Sequence, residues 1–243
     1  LSVRTAAASA NLALTGSVDA TTFVNGSSAY GNVFAGTYNG TFAGLGHTIS
    51  NLILTNTDRY AGIFAQTSSA TVRDLVVDNA TIQGRHDTGT VVGYAAGTSN
   101  FSGLIVKNGS VAIETNNYYY TGGLFGRVDN GQINDAWVIN NPVSGHYVVG
   151  GVVGQSQAVS DNIHNVSSTV TARGNHYTGG LIGYWLYAST LSNSDSSGNV
   201  VSDQQRVGGL VGDAYATSSI SNSFATGNVT GSVYVGGIVG VSN

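Results

Sequence analysis

Apolar residues in this chain come in short runs rich in Val, Ile and Leu, separated by Gly, Asn, Ser and Thr, and the runs recur at a nearly fixed interval. The clearest run is a glycine–apolar block: Gly122-Gly-Leu-Phe-Gly, Gly150-Gly-Val-Val-Gly, Gly179-Gly-Leu-Ile-Gly, Gly208-Gly-Leu-Val-Gly and Gly236-Gly-Ile-Val-Gly, with variants at Tyr60-Ala-Gly-Ile-Phe and Thr88-Gly-Thr-Val-Val-Gly. Taking the glycine before the apolar pair as a marker gives Gly62, Gly89, Gly123, Gly151, Gly180, Gly209 and Gly237, at intervals of 27, 34, 28, 29, 29 and 28. A period of this size defines a repeat protein. A second signal follows each marker: Val72-Arg-Asp-Leu, Ile133-Asn-Asp-Ala, Ile163-His-Asn-Val, Leu191-Ser-Asn-Ser and Ile220-Ser-Asn-Ser, with Ile49-Ser-Asn-Leu upstream of Gly62. A third column holds Ile82, Val111, Val143, Val170, Val200 and Val229.

None of these runs has the length or the 3.6-residue period of a helix. β-branched residues fill them and turn formers separate them. The pattern predicts three short strands per coil of about 28 residues. One such unit cannot bury its apolar side alone, whereas stacked units can. The predicted fold is all-β, a parallel β-helix (β-solenoid), right-handed by the crossover rule. Coils advance by about 4.8 Å, so seven or eight would form a rod roughly 35–40 Å long.

Residue types acquire reasons in this arrangement. Gly62, Gly123, Gly151, Gly180, Gly209 and Gly237 are expected where backbone approaches too closely for a side chain. Asn51, Asp74, Asp135, Asn165, Asn193 and Asn222 form a polar column beside the core, suited to capping a bend. Residues 1–48 are less regular and read as a leading coil or N-terminal cap, with repeats over 49–243 and a long coil at 89–122. That coil contains Glu114-Thr-Asn-Asn-Tyr-Tyr-Tyr120, and insertions in solenoids gather on one face. The last glycine block ends without an evident cap, and Met is absent even at position 1, so the segment is expected to continue within a longer polypeptide.

The string Phe42-Ala-Gly-Leu-Gly-His-Thr-Ile-Ser-Asn-Leu-Ile-Leu54, with Gly62-Ile-Phe and Val72-Arg-Asp-Leu75 after it, resembles the opening of GLUG-repeat proteins. So do Gly208-Gly-Leu-Val-Gly212 and Ser219-Ile-Ser-Asn-Ser-Phe-Ala-Thr-Gly-Asn-Val-Thr-Gly231. The resemblance spans roughly residues 34–243. It implies the β-helical region of large secreted or surface-anchored bacterial proteins, such as filamentous-haemagglutinin-like adhesins and the non-catalytic regions of immunoglobulin A proteases. The expected role is a non-catalytic structural or adhesive module, a stalk with a ligand-presenting face. The alternative is a carbohydrate-binding or polysaccharide-degrading β-helix protein. The resemblance carries no ligand and no catalytic residue.

Composition narrows the partners. Charged residues make up 8% of the chain and the net charge is −4, with 8 basic residues, so no basic stripe exists for nucleic acid. No apolar run is long enough to span a membrane. Cys is absent, which removes disulfides and thiolate chemistry. No cofactor is expected. The expected partners are a host or biofilm glycan, a surface protein, or neighbouring domains of the same polypeptide, and the expected location is secreted or cell-surface.

Candidate ligand-binding residues are the aromatics near the glycine blocks and the long coil: Tyr118, Tyr119, Tyr120, Trp137, Tyr147, Tyr177, Trp185, Tyr187 and Tyr234. Stacked along a rod, they would offer ring faces to sugars, or simply pack on one another. Counting back three residues from each marker puts His86, Tyr120, Tyr177 and Tyr234 in one column, with Arg59, Val148 and Arg206 as counterparts. His86, His146 and His176 come from non-adjacent coils, too far apart to share a metal. A hydrolase or lyase would need a local acid/base set, for which Arg73, Asp74, Asp78, Arg85 and Asp87 are the available groups; ordinary surface charge accounts for them.

Overall fold

A computed structural model of the chain describes residues 8–21, 32–55, 59–113, 119–157, 162–187, 189–215 and 218–242. The described residues contain strands and turns but no helix, and every strand pairing is parallel. The strands stack as a β-solenoid of about seven turns with a spacing near 29 residues.

Each coil contributes strands to four sheets rather than the three expected. One coil runs Phe64–Ser68 (sheet I), Thr71–Asp78 (sheet II), Thr81–Gly84 (sheet III) and Asp87–Thr88 (sheet IV), then returns to sheet I at Val92–Ala96. Among the described residues sheet I has eight strands, sheets III and IV seven each, and sheet II twelve because its strands break at a bend in several coils. The unforeseen strand lies just before each glycine block. Its members are as short as Tyr60–Ala61 and mix Tyr, Thr, Asp and Gly, so they lack the apolar signature of the other three.

Register makes the core continuous. Phe64, Val92, Phe125, Val153, Ile182 and Val211 stand over one another in sheet I. Val72, Phe101, Ile133, Ile163 and Leu191 do so in sheet II. All are essentially solvent-free and share one hydrophobic cluster with Leu181 and Leu210. Burial of each such side chain is worth about 1.5–3 kcal/mol. Ile238 belongs to the same column by sequence but is 39% exposed in the last described coil, where no coil lies above it.

The second glycine of each block is explained by backbone contact. A Cβ on Gly123, Gly151, Gly180 or Gly209 would collide with the carbonyl oxygen of the equivalent glycine one coil on. Gly62 meets the carbonyl of Gly89 at 2.7 Å, but by the pairing of the strands before them both stand level with the first glycine, Gly122, and Gly237 meets nothing within 4 Å. The final glycine of the block has a separate reason. At Gly126, Gly154, Gly183 and Gly212 a Cβ would strike backbone of a neighbouring coil, including the sheet IV strand of the coil before. Sheets I and IV therefore close against each other at this corner.

The polar column sits at a left-handed bend in sheet II. Asp74, Asp135, Asn165, Asn193 and Asn222 have φ between 48° and 54°, and Gly103, with φ 62°, takes the place in its own coil. Asn, Asp and Gly are the residues that adopt this conformation cheaply. Asn165 also donates to Asp135 Oδ1 at 2.5 Å. Asn51 does not belong here. Ser50 pairs with Asp78, which puts Asn51 level with Asn79 at the next corner, and Asn79 donates to Asn51 Oδ1 at 2.7 Å. Asn108 and Asn140 continue that second left-handed column. The misplacement arose because both corners carry an apolar-x-Asn/Asp-apolar signature.

Stacking also reaches further toward the N-terminus than the repeat columns. Phe34–Tyr38 and Thr41–Ala43 already pair with the coil above, Leu12–Ala13 pairs beneath Thr41–Ala43, and Val18–Asp19 pairs beneath Thr48–Ser50. The inserted segment of the long coil, 114–118, lies outside the described residues.

The glycine contacts predict a position-dependent outcome. Gly180→Val is expected to destabilise the chain by roughly 1–3 kcal/mol or more, because backbone cannot yield as a side chain does. Gly237→Val, with open space at its Cβ, is expected to stay within about 0.5 kcal/mol of the parent. Equilibrium urea unfolding of the two variants checks this.

Candidate functional site

The corner between sheets IV and I carries the densest polar and aromatic chemistry among the described residues. Successive sheet IV strands pair so that Tyr60, Asp87, Tyr120, Val148, Tyr177 and Arg206 stand in one column. Across the corner, sheet I presents Gln66, Tyr94, Arg127, Gln155, Tyr184 and Asp213 in register. The two columns interlock. Tyr60 and Tyr94 have ring centroids 5.3 Å apart, and Tyr177 stacks on Tyr184 at 5.1 Å and 24°. Arg127 lies 5.0 Å from the Tyr94 ring and Arg206 5.0 Å from the Tyr177 ring. Arg127 is held by both oxygens of Asp129, at 3.0 and 2.8 Å, and Asp129 also accepts from the Tyr94 hydroxyl at 2.8 Å. Arg206 is bonded to Asp213.

A second row runs alongside, one residue earlier in each sheet IV strand: Arg59, His86, Tyr119, Tyr147, His176 and Gln205. His86 faces Tyr119 at 3.9 Å, Tyr147 faces His176 at 4.5 Å and Tyr177 at 5.2 Å, and Gln205 lies 3.2 Å from His176 Nδ1. The outer surface of sheet IV is thus a wall of Tyr and His running along the stacking direction.

Sequence counting slipped by one residue here. Thr88 pairs with Thr121, so Gly89 is level with Gly122, and Thr90 occupies the place of the second glycine. His86 is therefore the neighbour of Tyr119, and Asp87 the neighbour of Tyr120. The slip hid Asp87, a fully buried member of the corner. Asp87 is 1% exposed and bonded to His86 Nδ1 at 2.5 Å. Burial pushes its carboxyl above the ordinary range, against the opposing pull of His86. Burial likewise raises Asp213 against the pull of Arg206. Tyr94 is pushed up to about 12 by burial and by its bond to Asp129. His176 is lowered by burial and by the nearby His146 and Arg206. Each buried carboxyl keeps one oxygen without a hydrogen-bond partner, Oδ2 of Asp87 and Oδ1 of Asp213, as does Oε1 of the buried Gln155.

Of the predicted ligand-binding residues, Tyr119, Tyr120, Tyr147 and Tyr177 come together on this wall. Tyr234 is level with Arg206 but 56% exposed on the last coil. Tyr187 is 42% exposed beyond the end of its sheet I strand. Trp137 is on the outer face of sheet II, paired with Ile105 and Ser167, and takes no part in the wall. Trp185 requires correction, since it is fully buried in the core. Its column neighbours are Ser156 below and Ala214 above, and their small side chains make room for the indole. Tyr118 lies outside the described residues. Tyr60, Tyr94, Arg127, Gln155, Tyr184 and Asp213 were not singled out from the sequence. The signal was a position seven residues after the sheet IV column, masked by the variety of its occupants.

Two chemical options are tested by distance. His86 and His176 stand three coils apart, about 14 Å at the strand spacing; His146, expected in a non-adjacent coil, lies in the coil next to His176, and among the described residues no group of three or more His, Asp or Glu converges as a metal site. Asp87 and Asp213 share the corner but are separated by four coil steps, roughly 19 Å. A pair of glycosidase carboxyls needs about 5–9.5 Å.

Comparisons with known proteins agree with this architecture. Residues 203–230 match the GLUG motif model. Halomucin of Haloquadratum walsbyi is 34% identical over 93 residues, which is 37% of this chain and 1% of halomucin. The crystal structure of a candidate immunoglobulin A1 protease from Bacteroides ovatus superposes with a TM-score of 0.65 over 93% of this chain and 77% of that one, at 16% identity, a likeness of fold.

The raised carboxyls predict a pH effect. Folding raises the pKa of Asp87, so the folded chain retains this proton where the unfolded chain has lost it. The resulting stabilisation is full below the ordinary value of 3.8 and fades as pH rises through the raised value. Thermal melts from about pH 4 to about pH 7 should show the Tm of Asp87→Asn gaining on the parent as pH rises. A constant difference would contradict the shift. Taken together, the stacked fold and the match at residues 203–230 make this chain a parallel β-solenoid carrying a GLUG motif.

Proposed function

We propose that the chain is a non-catalytic structural module of a secreted or cell-surface polypeptide, a stalk segment that also presents an adhesive face. The observation that carries this reading is the single core threaded through every coil, which makes a stiff element whose length grows with the number of repeats. The local match to halomucin and the fold shared with the candidate immunoglobulin A1 protease support an extracellular setting. The chain spans 1% of halomucin, so the role of the whole polypeptide is part of the proposal. Neighbouring domains of the same polypeptide and a glycan or surface protein are the partners proposed.

Catalysis is disfavoured by how the charges are spent. Arg73 pairs with Asp74 at 2.7 Å, Lys107 with Asp78 at 3.4 Å, and Arg173 with Asp203 at 3.0 Å, each on its own part of the surface. These isolated pairs do not assemble an acid and a base around one bond.

Antibodies raised against the purified chain test the placement. They are expected to label intact cells of the source organism or its culture medium. Labelling that appears only after the cells are permeabilised would overturn the reading.

A further inference from the structure

We propose that the outer wall of sheet IV binds an uncharged glycan chain lying along the stacking direction. The inference deepens the adhesive part of the function proposed above by naming the ligand class and the residues that receive it. Tyr119, Tyr147 and the pair His176 and Tyr177 supply ring surface on three successive coils. Their partly exposed rings recur at about 4.8 Å, close to the length of one pyranose residue, so a linear glycan can meet one rung per sugar. Tyr and His suit such a ligand because each combines an apolar face for sugar C–H groups with a polar tip for a hydroxyl.

Charge selects the class. Two of the wall's three guanidinium groups are committed to carboxyls, Arg127 to Asp129 and Arg206 to Asp213, and the third, Arg59, lies 5.4 Å from the Tyr60 ring two or more coils from the Tyr147 and Tyr177 rungs. What remains unsatisfied are three oxygens, Asp87 Oδ2, Gln155 Oε1 and Asp213 Oδ1, on side chains 1%, 4% and 0% exposed, and one donor, Arg206 Nε. Buried acceptors without partners are costly and call for donors. A sugar hydroxyl both donates and accepts, so it serves a buried carboxyl in either protonation state as well as Arg206 Nε, whereas the carboxylate or sulfate of an acidic glycan only accepts and would bring further negative charge beside these carboxyls. These atoms are covered in the free chain, whereas the tyrosine rings of the wall are partly exposed. The site is therefore expected to bind through ring contact first and acceptor contact second.

The experiment is affinity electrophoresis and calorimetry of the purified chain with soluble mixed-linkage β-glucan, galactomannan and dextran as neutral polymers, and polygalacturonate and heparin as acidic ones. At least one neutral polymer is expected to bind and the acidic ones to bind more weakly. Tyr147→Ala and Tyr177→Ala should each weaken binding by roughly fivefold, the scale of a lost aromatic contact. Trp137→Ala on sheet II should leave it unchanged. Circular dichroism and thermal melts confirm that each variant is folded, and Tyr177→Phe, which keeps the ring, should retain most of the affinity. Absence of binding to every neutral polymer, preference for the acidic ones, or equal loss in the Trp137 variant would each overturn the proposal. None of these outcomes bears on the stalk reading, which rests on the cell-labelling result.

Discussion

One constraint governs this structure: at the corner of the coils from Gly123 to Gly209 the main chain lies against the main chain of the next, with no space for a side chain. The second glycine, at Gly123, Gly151, Gly180 and Gly209, meets its own equivalent one coil on, and the final glycine meets backbone of a neighbouring coil. With backbone in contact at that corner, each strand is brought to the spacing at which parallel hydrogen bonding is satisfied. Equivalent side chains then fall over one another, and the core becomes a set of vertical stacks. Phe64 to Val211 in sheet I is one such stack, running through six coils in unbroken register.

The same constraint creates the chemistry of the outer surface. Closing sheets I and IV together forces the outward side chains of both into one narrow corner. Residues that would be solvated on an open sheet become buried, as Asp87, Gln155 and Asp213 show. Their neighbours answer that burial with cation–ring contacts and ion pairs, and the carboxyl pKa values rise because water is excluded. Stability and surface chemistry are thus two results of one packing decision. Where the last described coil has nothing above it, the pattern relaxes: Val233, Tyr234 and Val235 are each about half exposed, although their counterparts one coil below are largely covered.

The repeat period, the parallel stacking and the core columns were legible from sequence because each depends on the spacing of apolar and glycine residues. The role of Asp135 and Asn165 at a bend was legible too, since few residue types accept a left-handed conformation. Two features were not. The fourth strand carries little apolar character, because its inward positions are Thr as often as Val, as at Thr88, Thr121 and Thr178. The register of the wall depended on a single substitution, Thr90 for glycine, which shifted the count by one residue and exchanged His86 for Asp87. Asn51 failed for a related reason, since two corners share one local signature. Trp185 was invisible as a core residue because its burial depends on small side chains, Ser156 and Ala214, about one period away on either side.

The chain has no cysteine, so cross-linking can read the stacking directly. Ser167 and Asp195 are partners in adjacent coils, and Phe224 is the next in line. Adjacent-coil positions are about 4.8 Å apart, within disulfide reach, and positions two coils apart, at roughly 10 Å, are not. Under mild oxidation the Ser167→Cys, Asp195→Cys double variant is predicted to form an intramolecular disulfide readily. The Ser167→Cys, Phe224→Cys variant is predicted to remain reduced. The opposite pattern, or equal cross-linking in both, would contradict the stack on which the fold and its outer wall depend.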